Sequence, residues 1–301
     1  MAYNDSAASP FSLTLSFGDS SIVIGDSGTP FCLLSSGIEG AEAPEAMPIC
    51  SDYAQLDGSY LVSNRIPGRE IVLLFEIAQY TDRETLRLAL MSFFDPKAFG
   101  TLTVRRGDRV RSIGCVLGGQ VTMTQPTLYD YIRVRVPLFC ADPFFYADEE
   151  KNVLAREAEH LLSFPLTVTA DAGVTAGAIA VGDTLIVENG GDTATGFLLT
   201  LTAYPSENEG ICEIVHPVIT REEDGSCIRV LTTLAAGDVL SISTLNGNKY
   251  IKKNGEVCLL FDCDSTFFPL NKGTNTLKIS AEHTTGMMES QLSYRMKYYG
   301  A

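Results

Sequence analysis

Three histidines, His160, His216 and His283, are the first place to look for metal or acid–base chemistry. None sits in an HExxH or other spacing that brings two imidazoles to one face, so each is read as a surface or packing residue. Asp262-x-Asp264 is a carboxylate pair of the kind that shares a proton or weakly holds calcium. It lacks the glycine and distal glutamate of an EF-hand loop, and most acidic residues here read as solvated surface. No GxSxG elbow, P-loop or GxGxxG fingerprint is present. Gly190-Gly191-Asp192 is glycine-rich, but no helix follows to receive a phosphate, and it reads as a hairpin turn. The eight cysteines scatter through apolar runs, and the one close pair, Cys258 and Cys263, has neither CxxC nor zinc-ribbon spacing. They are read as reduced, buried small hydrophobes. The expectation is a protein with no catalytic residues, no cofactor and no metal site.

What remains is surface chemistry. Arg83, Arg87, Lys97, Arg105, Arg106, Arg109 and Arg111 form a local basic island in a chain of formal net charge −15. Such an island is either a solvated face or a surface that docks an acidic face of a neighbouring subunit. Arg105, Arg106, Arg109 and Arg111 are the candidates for a subunit interface. Arg106-Gly107-Asp108 spells a cell-adhesion tripeptide, yet one this short recurs by chance and reads as a hairpin turn. The acidic balance argues against unaided nucleic-acid binding through phosphate contacts. No run approaches the roughly 18 apolar residues of a membrane span. The first residues, Met1-Ala2-Tyr3-Asn4-Asp5, lack the basic and apolar regions of a signal peptide. The expected place of synthesis is a cytoplasm, with any exit by a route other than secretion.

The positioning elements follow from periodicity. Residues 11 to 34 read as two strands around Gly18-Asp19-Ser20, residues 36 to 60 as a loop, and Ile71 to Ile77 as a buried strand. Thr81-Asp82-Arg83-Glu84 predicts a capping box, and Leu86, Ala89, Leu90 and Phe93 predict the helix's apolar face. Asp95-Pro96 ends it. Residues 101 to 117 form a hairpin turning at Gly107-Asp108. Ile132, Val134, Val136 and Leu138 alternate with Arg133 and Arg135 in a strand that runs into an aromatic knot. Phe139, Pro143, Phe144, Phe145 and Tyr146 of that knot are expected to pack between two domains.

After the knot the pattern is all strand. Phe164 to Ala170 and Thr184 to Val187 alternate, and so do later runs ending at Leu292, Tyr294, Met296 and Tyr298. The separators are turn pairs such as Asp224-Gly225, Asn246-Gly247 and Asn254-Gly255. Short strands at this spacing predict a β-sandwich. With 301 residues, two domains are expected: 1–147, then a linker with first strands at 148–187, then 188–301. A sandwich raises the alternative of a carbohydrate-binding adhesin, against which stands the absence of tryptophan, the largest stacking platform.

An ordered set of these pieces resembles the distal tail proteins of long-tailed, siphovirus-type bacteriophages. Pro67-Gly68-Arg69 leads through a strand into the Thr81 to Phe94 helix, the 101–117 hairpin, and the strand closing in Cys140-Ala141-Asp142-Pro143-Phe144-Phe145. Glu188-Asn189-Gly190-Gly191-Asp192-Thr193-Ala194-Thr195, Thr233 to Asp238, Asn254-Gly255, Asp264 to Leu270 with Gly273-Thr274-Asn275, and a Tyr294 to Tyr298 strand follow in order. The link at 150–187 is longer than that family's pattern. The resemblance implies a mainly β fold: an α+β N-terminal domain similar to tail-tube proteins, with one helix on a sheet, and a galectin-like C-terminal sandwich. It implies a hexameric ring at the tail tip of a virion, assembled in the bacterial host cytoplasm, whose channel forms part of the DNA conduit. The implied partners are the tail-tube protein, the tail-tip hub protein, the tape-measure protein and, on the sandwich, receptor-binding proteins. No sequence-specific nucleic-acid binding is implied. A negative lumen lets DNA slide without sticking, and acidic loop residues are expected to line it.

Overall fold

A computed structural model describes residues 11–25, 28–78, 82–127, 130–155, 157–159, 178–180, 184–205, 212–285 and 287–301. The expected strand at Phe164 to Ala170, and His160, lie outside these residues. Among the described residues the fold is mainly β, with one helix. It divides into two compact units, the chain up to Asp148 together with Lys297–Ala301, and Glu149–Met296.

The first unit contains β1 (Phe11–Phe17), β2 (Ser20–Ile24), β3 (Phe31–Glu39), β4 (Met47–Asp52), β5 (Ser59–Arg65), β6 (Arg69–Ile77), α1 (Arg83–Phe93), β7 (Gly100–Arg106), β8 (Arg109–Leu117), β9 (Thr122–Thr124), β10 (Ile132–Cys140) and β11 (Phe145–Ala147). Its main sheet is antiparallel in the order β2-β1-β7-β8-β10-β6-β3, with β9 on β10 and β11 on β8. The alternation read in β10 is real: Ile132, Val134, Val136 and Leu138 are buried, whereas Arg133 and Arg135 face out. In β1, Leu13 and Leu15 are fully buried, and β6 buries Ile71, Leu73, Phe75 and Ile77. Burying each such side chain contributes roughly 1.5–3 kcal/mol, so this face holds the unit together.

The helix caps the core with fewer residues than expected. Leu90 is buried and Leu86 and Phe93 are partly buried, but Ala89, at the edge of the same face, is exposed. Phe93 and Phe94 meet Phe17 edge to face, with ring centroids 5.6 and 6.4 Å apart. Of the predicted capping box, only the Asp82 and Glu84 side falls within the described residues. The N-cap is Asp82, in the left-handed region at φ 64° with no side-chain cap bond. Glu84 instead pairs with Arg87 at 2.9 Å, and Thr81 lies outside the described residues.

The second unit runs through β12 (Lys151–Leu154), β13 (Glu157–Glu159), β14 (Ala178–Ala180), β15 (Thr184–Asn189), β16 (Phe197–Tyr204), β17 (Glu213–Arg221), β18 (Cys227–Arg229), β19 (Thr233–Ala235), β20 (Val239–Leu245), β21 (Asn248–Lys253), β22 (Glu256–Val257), β23 (Gly273–Thr284) and β24 (Met287–Tyr294). Two antiparallel sheets, β12-β24-β16-β20-β21-β22 and β15-β23-β17-β18 with β19 on β17, enclose one apolar core. Leu199, Leu201, Ile242, Ile214, Leu277 and Leu292 are fully buried there. β21 and β22 turn at Asn254-Gly255, where φ is 51° and 85°. Both central residues are left-handed, which is the tight hairpin turn that Asn-Gly favours.

The strand expected to run from Leu292 to Tyr298 is two strands in two units. β24 ends at Tyr294, and β25 (Lys297–Tyr298) pairs with β11 in the first unit. The alternation continues across the break, so periodicity alone could not mark it.

Candidate assembly surfaces

The aromatic knot is organised by a buried arginine that sequence reading passed over. Arg69 opens β6 and is 8 % exposed. Its Nε donates to the Pro143 carbonyl at 2.6 Å, and its two terminal nitrogens donate to the carbonyls of Glu42 at 2.8 Å and Tyr299 at 2.6 Å. A further bond reaches the Gly40 carbonyl at 3.3 Å. The guanidinium also lies 5.1 Å from the Phe145 ring centroid. Burial lowers its pKa, a tendency opposed by Cys140 and Asp142. One rigid donor fork thus ties β6, the loop after β3, the knot and the last residues together. Gly40 is fixed by the same packing: its φ is 79°, and a Cβ there would stand 2.3 Å from the Glu70 carbonyl oxygen.

The knot residues have different surroundings. Phe145 is fully buried in the first unit's core, Pro143 is buried, and Phe139 is 44 % exposed. Phe144 lies 6.1 Å from Tyr299, and the buried Lys297 ammonium sits 5.3 Å from the Phe144 ring and 5.4 Å from that of Tyr146. The Tyr146 hydroxyl donates to Asp142 at 2.5 Å, and burial followed by this bond pushes its pKa up. Burial also lowers the Lys297 pKa, with Asp142 acting against it.

The arginine hairpin is β7–β8. Arg106 stands opposite Arg109 and Val104 opposite Arg111, whereas Arg105 stands opposite Val110. Side chains alternate along a strand, so Arg106, Arg109 and Arg111 share one face and Arg105 is on the other. Four candidates in sequence are therefore three plus one. Arg111 lies 3.7 Å from the Tyr298 ring centroid and donates to the Gly300 carbonyl. Arg106 lies 5.1 Å from the Phe11 ring.

The surface that sequence reading missed begins within residues 36 to 60, expected to be a loop, and runs on to Arg65. β4 and β5 form a separate two-stranded sheet in which every residue is exposed. Met47, Ile49, Tyr60, Leu61 and Val62 show 41 to 62 % of their area, and Leu56 at the turn shows 73 %. Its apolar residues are consecutive (Tyr60-Leu61-Val62) rather than alternating, so no period-2 signal was present. An isolated hairpin is marginal in water, and an apolar one is a surface awaiting a partner.

The cysteines correct the sequence expectation in part. Cys115, Cys140 and Cys212 are buried, but Cys32, Cys50 and Cys263 are exposed. Burial pushes the Cys115 thiol up to about 12 and the Cys140 thiol up to about 11, which keeps both protonated. Among the described residues no group of three His, Cys, Asp or Glu side chains could hold a metal. His216 instead contacts Glu282 at 2.6 Å. No helix of the described residues is long and apolar enough to cross a membrane.

Residues 202–298 match the family described as the siphovirus-type tail component, C-terminal domain. No curated protein matches the sequence. Among solved structures, the fold is similar to that of SPP1 Dit, described as a paradigm of the hub adsorption apparatus in phages infecting Gram-positive bacteria. The TM-score is 0.63 at 12 % identity, over 95 % of this chain and 98 % of that one. A chain of the phage P2 baseplate in its activated conformation aligns at a TM-score of 0.48 and 12 % identity, over 97 % of this chain and 99 % of that one. The resemblance noted in the sequence thus has an independent counterpart in the family match and in the fold.

Proposed function

We propose that this chain, whose residues 202–298 carry the siphovirus-type tail-component domain, is a non-enzymatic structural protein of a phage tail tip. In this reading it is a distal tail protein. Copies of the first unit close into a hexameric ring that joins the tail tube to the tail-tip hub and surrounds the end of the tape-measure protein. The sandwich unit is the part available to carry receptor-binding proteins.

The observation that carries the reading is the family match within a fold alike to a tail hub protein along nearly the whole chain. The exposed β4–β5 hairpin supports the self-association it requires, since its apolar residues gain a dry environment only against another chain. The net charge of −15 suits the wall of a DNA passage, because it repels the phosphates that a basic wall would hold. The arginine hairpin and the knot are assigned to subunit contacts and to packing beside the second unit.

Native mass spectrometry and sedimentation across a range of concentrations test it. A hexamer, or a pair of stacked hexamers, is expected. A monomer at every concentration, together with no labelling of tail tips by antibody against the protein, would overturn the assignment.

A further inference from the structure

A hollow of about 270 Å³ is lined by Val104, Ala301 and three arginines, Arg106, Arg109 and Arg111. Arg106 and Arg109 face each other directly across β7 and β8. Like charges in that position destabilise a hairpin unless something neutralises them. Among the described residues, none of the ion pairs involves Arg105, Arg106, Arg109 or Arg111. The molecule has 37 acidic residues against 22 basic ones, so unpaired arginines converging on one concavity are not a product of composition. Two of the three are already braced, Arg106 over the Phe11 ring and Arg111 over the Tyr298 ring and on the Gly300 carbonyl. Bracing of this kind spares the entropy of ordering a long side chain when a ligand arrives.

We infer that this hollow is an anion site that receives a carboxylate side chain from a second copy of the chain, an inference that rests on the self-association proposed above. Guanidinium forks match carboxylates in shape and donor spacing. A second copy is the occupant because the chain is strongly acidic and its exposed residues include the run Asp148-Glu149-Glu150. A strongly negative subunit repels its own kind except where such a basic concavity meets those carboxylates, so the hollow also selects the face through which copies approach.

The test uses the full chain and its Arg105→Gln, Arg106→Gln and Arg109→Gln variants, each checked for an unchanged thermal melt. Each removes one positive charge, but Arg105 lies on the opposite face. Fluorescence anisotropy with a labelled hexaglutamate peptide reports on the hollow directly. Arg106→Gln and Arg109→Gln are expected to weaken peptide binding by about tenfold, the loss of a charge-assisted hydrogen bond. Arg105→Gln should change it by less than about twofold, as for a screened surface charge. Equal weakening by all three, or none by any, overturns the anion site. Native mass spectrometry then reports on the occupant. Assemblies of the Arg109→Gln variant should dissociate at a higher concentration than those of the unaltered chain. Unchanged assembly together with lost peptide binding overturns the second copy as occupant and leaves the ring standing. Failure of the unaltered chain to assemble overturns the occupant as well as the ring, and the peptide titration still decides the anion site.

Discussion

Two hairpins of the first unit, β4–β5 and β7–β8, have strands of similar length and opposite circumstances. β7–β8 lies inside the main sheet, with Leu102, Val104, Ile113 and Cys115 buried on one side. β4–β5 has no sheet beneath it and exposes every strand residue. The first hairpin is held by a core within its own chain, and its unusual feature is uncompensated charge at its turn end. The second has no such core, and its unusual feature is uncompensated apolar area. Each is incomplete in a different currency, one electrostatic and one hydrophobic. The difference teaches that the uncompensated charge sits on a ribbon anchored in the core and the uncompensated apolar area on a ribbon outside it, so each can be altered without the other.

The largest effect should come from the core that supports the sheet. Phe145→Ala is expected to destabilise the protein by about 3–5 kcal/mol in a denaturant melt, because Phe145 is fully buried. Phe144→Ala, next to it but only half-buried, should cost clearly less. Equal costs would mean that the knot is supported by something beyond the contacts described. On the free hairpin, Leu61→Ser with Val62→Ser should change subunit stability by less than about 0.5 kcal/mol while abolishing the assembled species in sedimentation. Loss of stability instead would show that β4–β5 is held within its own subunit.

Thiol labelling sharpens the same contrast. Cys50 on β4 and Cys32 on β3 should react at once with a maleimide, whereas Cys115 on β8 should react only on unfolding. If copies assemble through β4–β5 as proposed, Cys50 is expected to become protected. The smallest effect is electrostatic and lies in the other unit. Asp238 accepts from Asn254, from the Ala235 amide and from Lys253, in that order of effect, which holds its pKa near about 2. Its folded value is lower than its unfolded one, so the stability it adds is full above the ordinary carboxylate value of about 4 and is lost as pH falls toward 2. The melting temperatures of the unaltered chain and Asp238→Asn should therefore differ at neutral pH and converge on acidification. A gap that stays constant would remove this carboxylate from the account.

How much was legible in the sequence follows the same division. The alternation in β10, the turn at Gly107-Asp108 and the strand run of the second unit were readable because one face of each is buried and imposes a period of two. Arg69 was not singled out, since its five donors are spent on main-chain carbonyls that carry no sequence signature. Residues 36 to 60, with β4 and the start of β5, were read as a loop because none of the described residues covers them, so no alternation was imposed on Tyr60-Leu61-Val62. The helix start was read from the motif Thr81-Asp82-Arg83-Glu84; among the described residues Asp82, in the left-handed region, is the N-cap. The division of the four arginines into three and one needed the strand register, which fixes faces but depends on where the turn falls.

The pairing of β11 with β25 has a consequence for how the molecule is made. Phe145 sits opposite Tyr298 and Tyr146 opposite Lys297, with the whole of 149–296 translated between them. At about 5–20 residues per second a ribosome needs on the order of ten seconds to cover that interval. Until then Arg69 lacks the Tyr299 carbonyl and the rings of Phe144 and Tyr146 lack the lysine between them. Nascent chains that already carry β4–β5 are thus still without the β11–β25 pairing, which closes only after residues 149–296 have been synthesised.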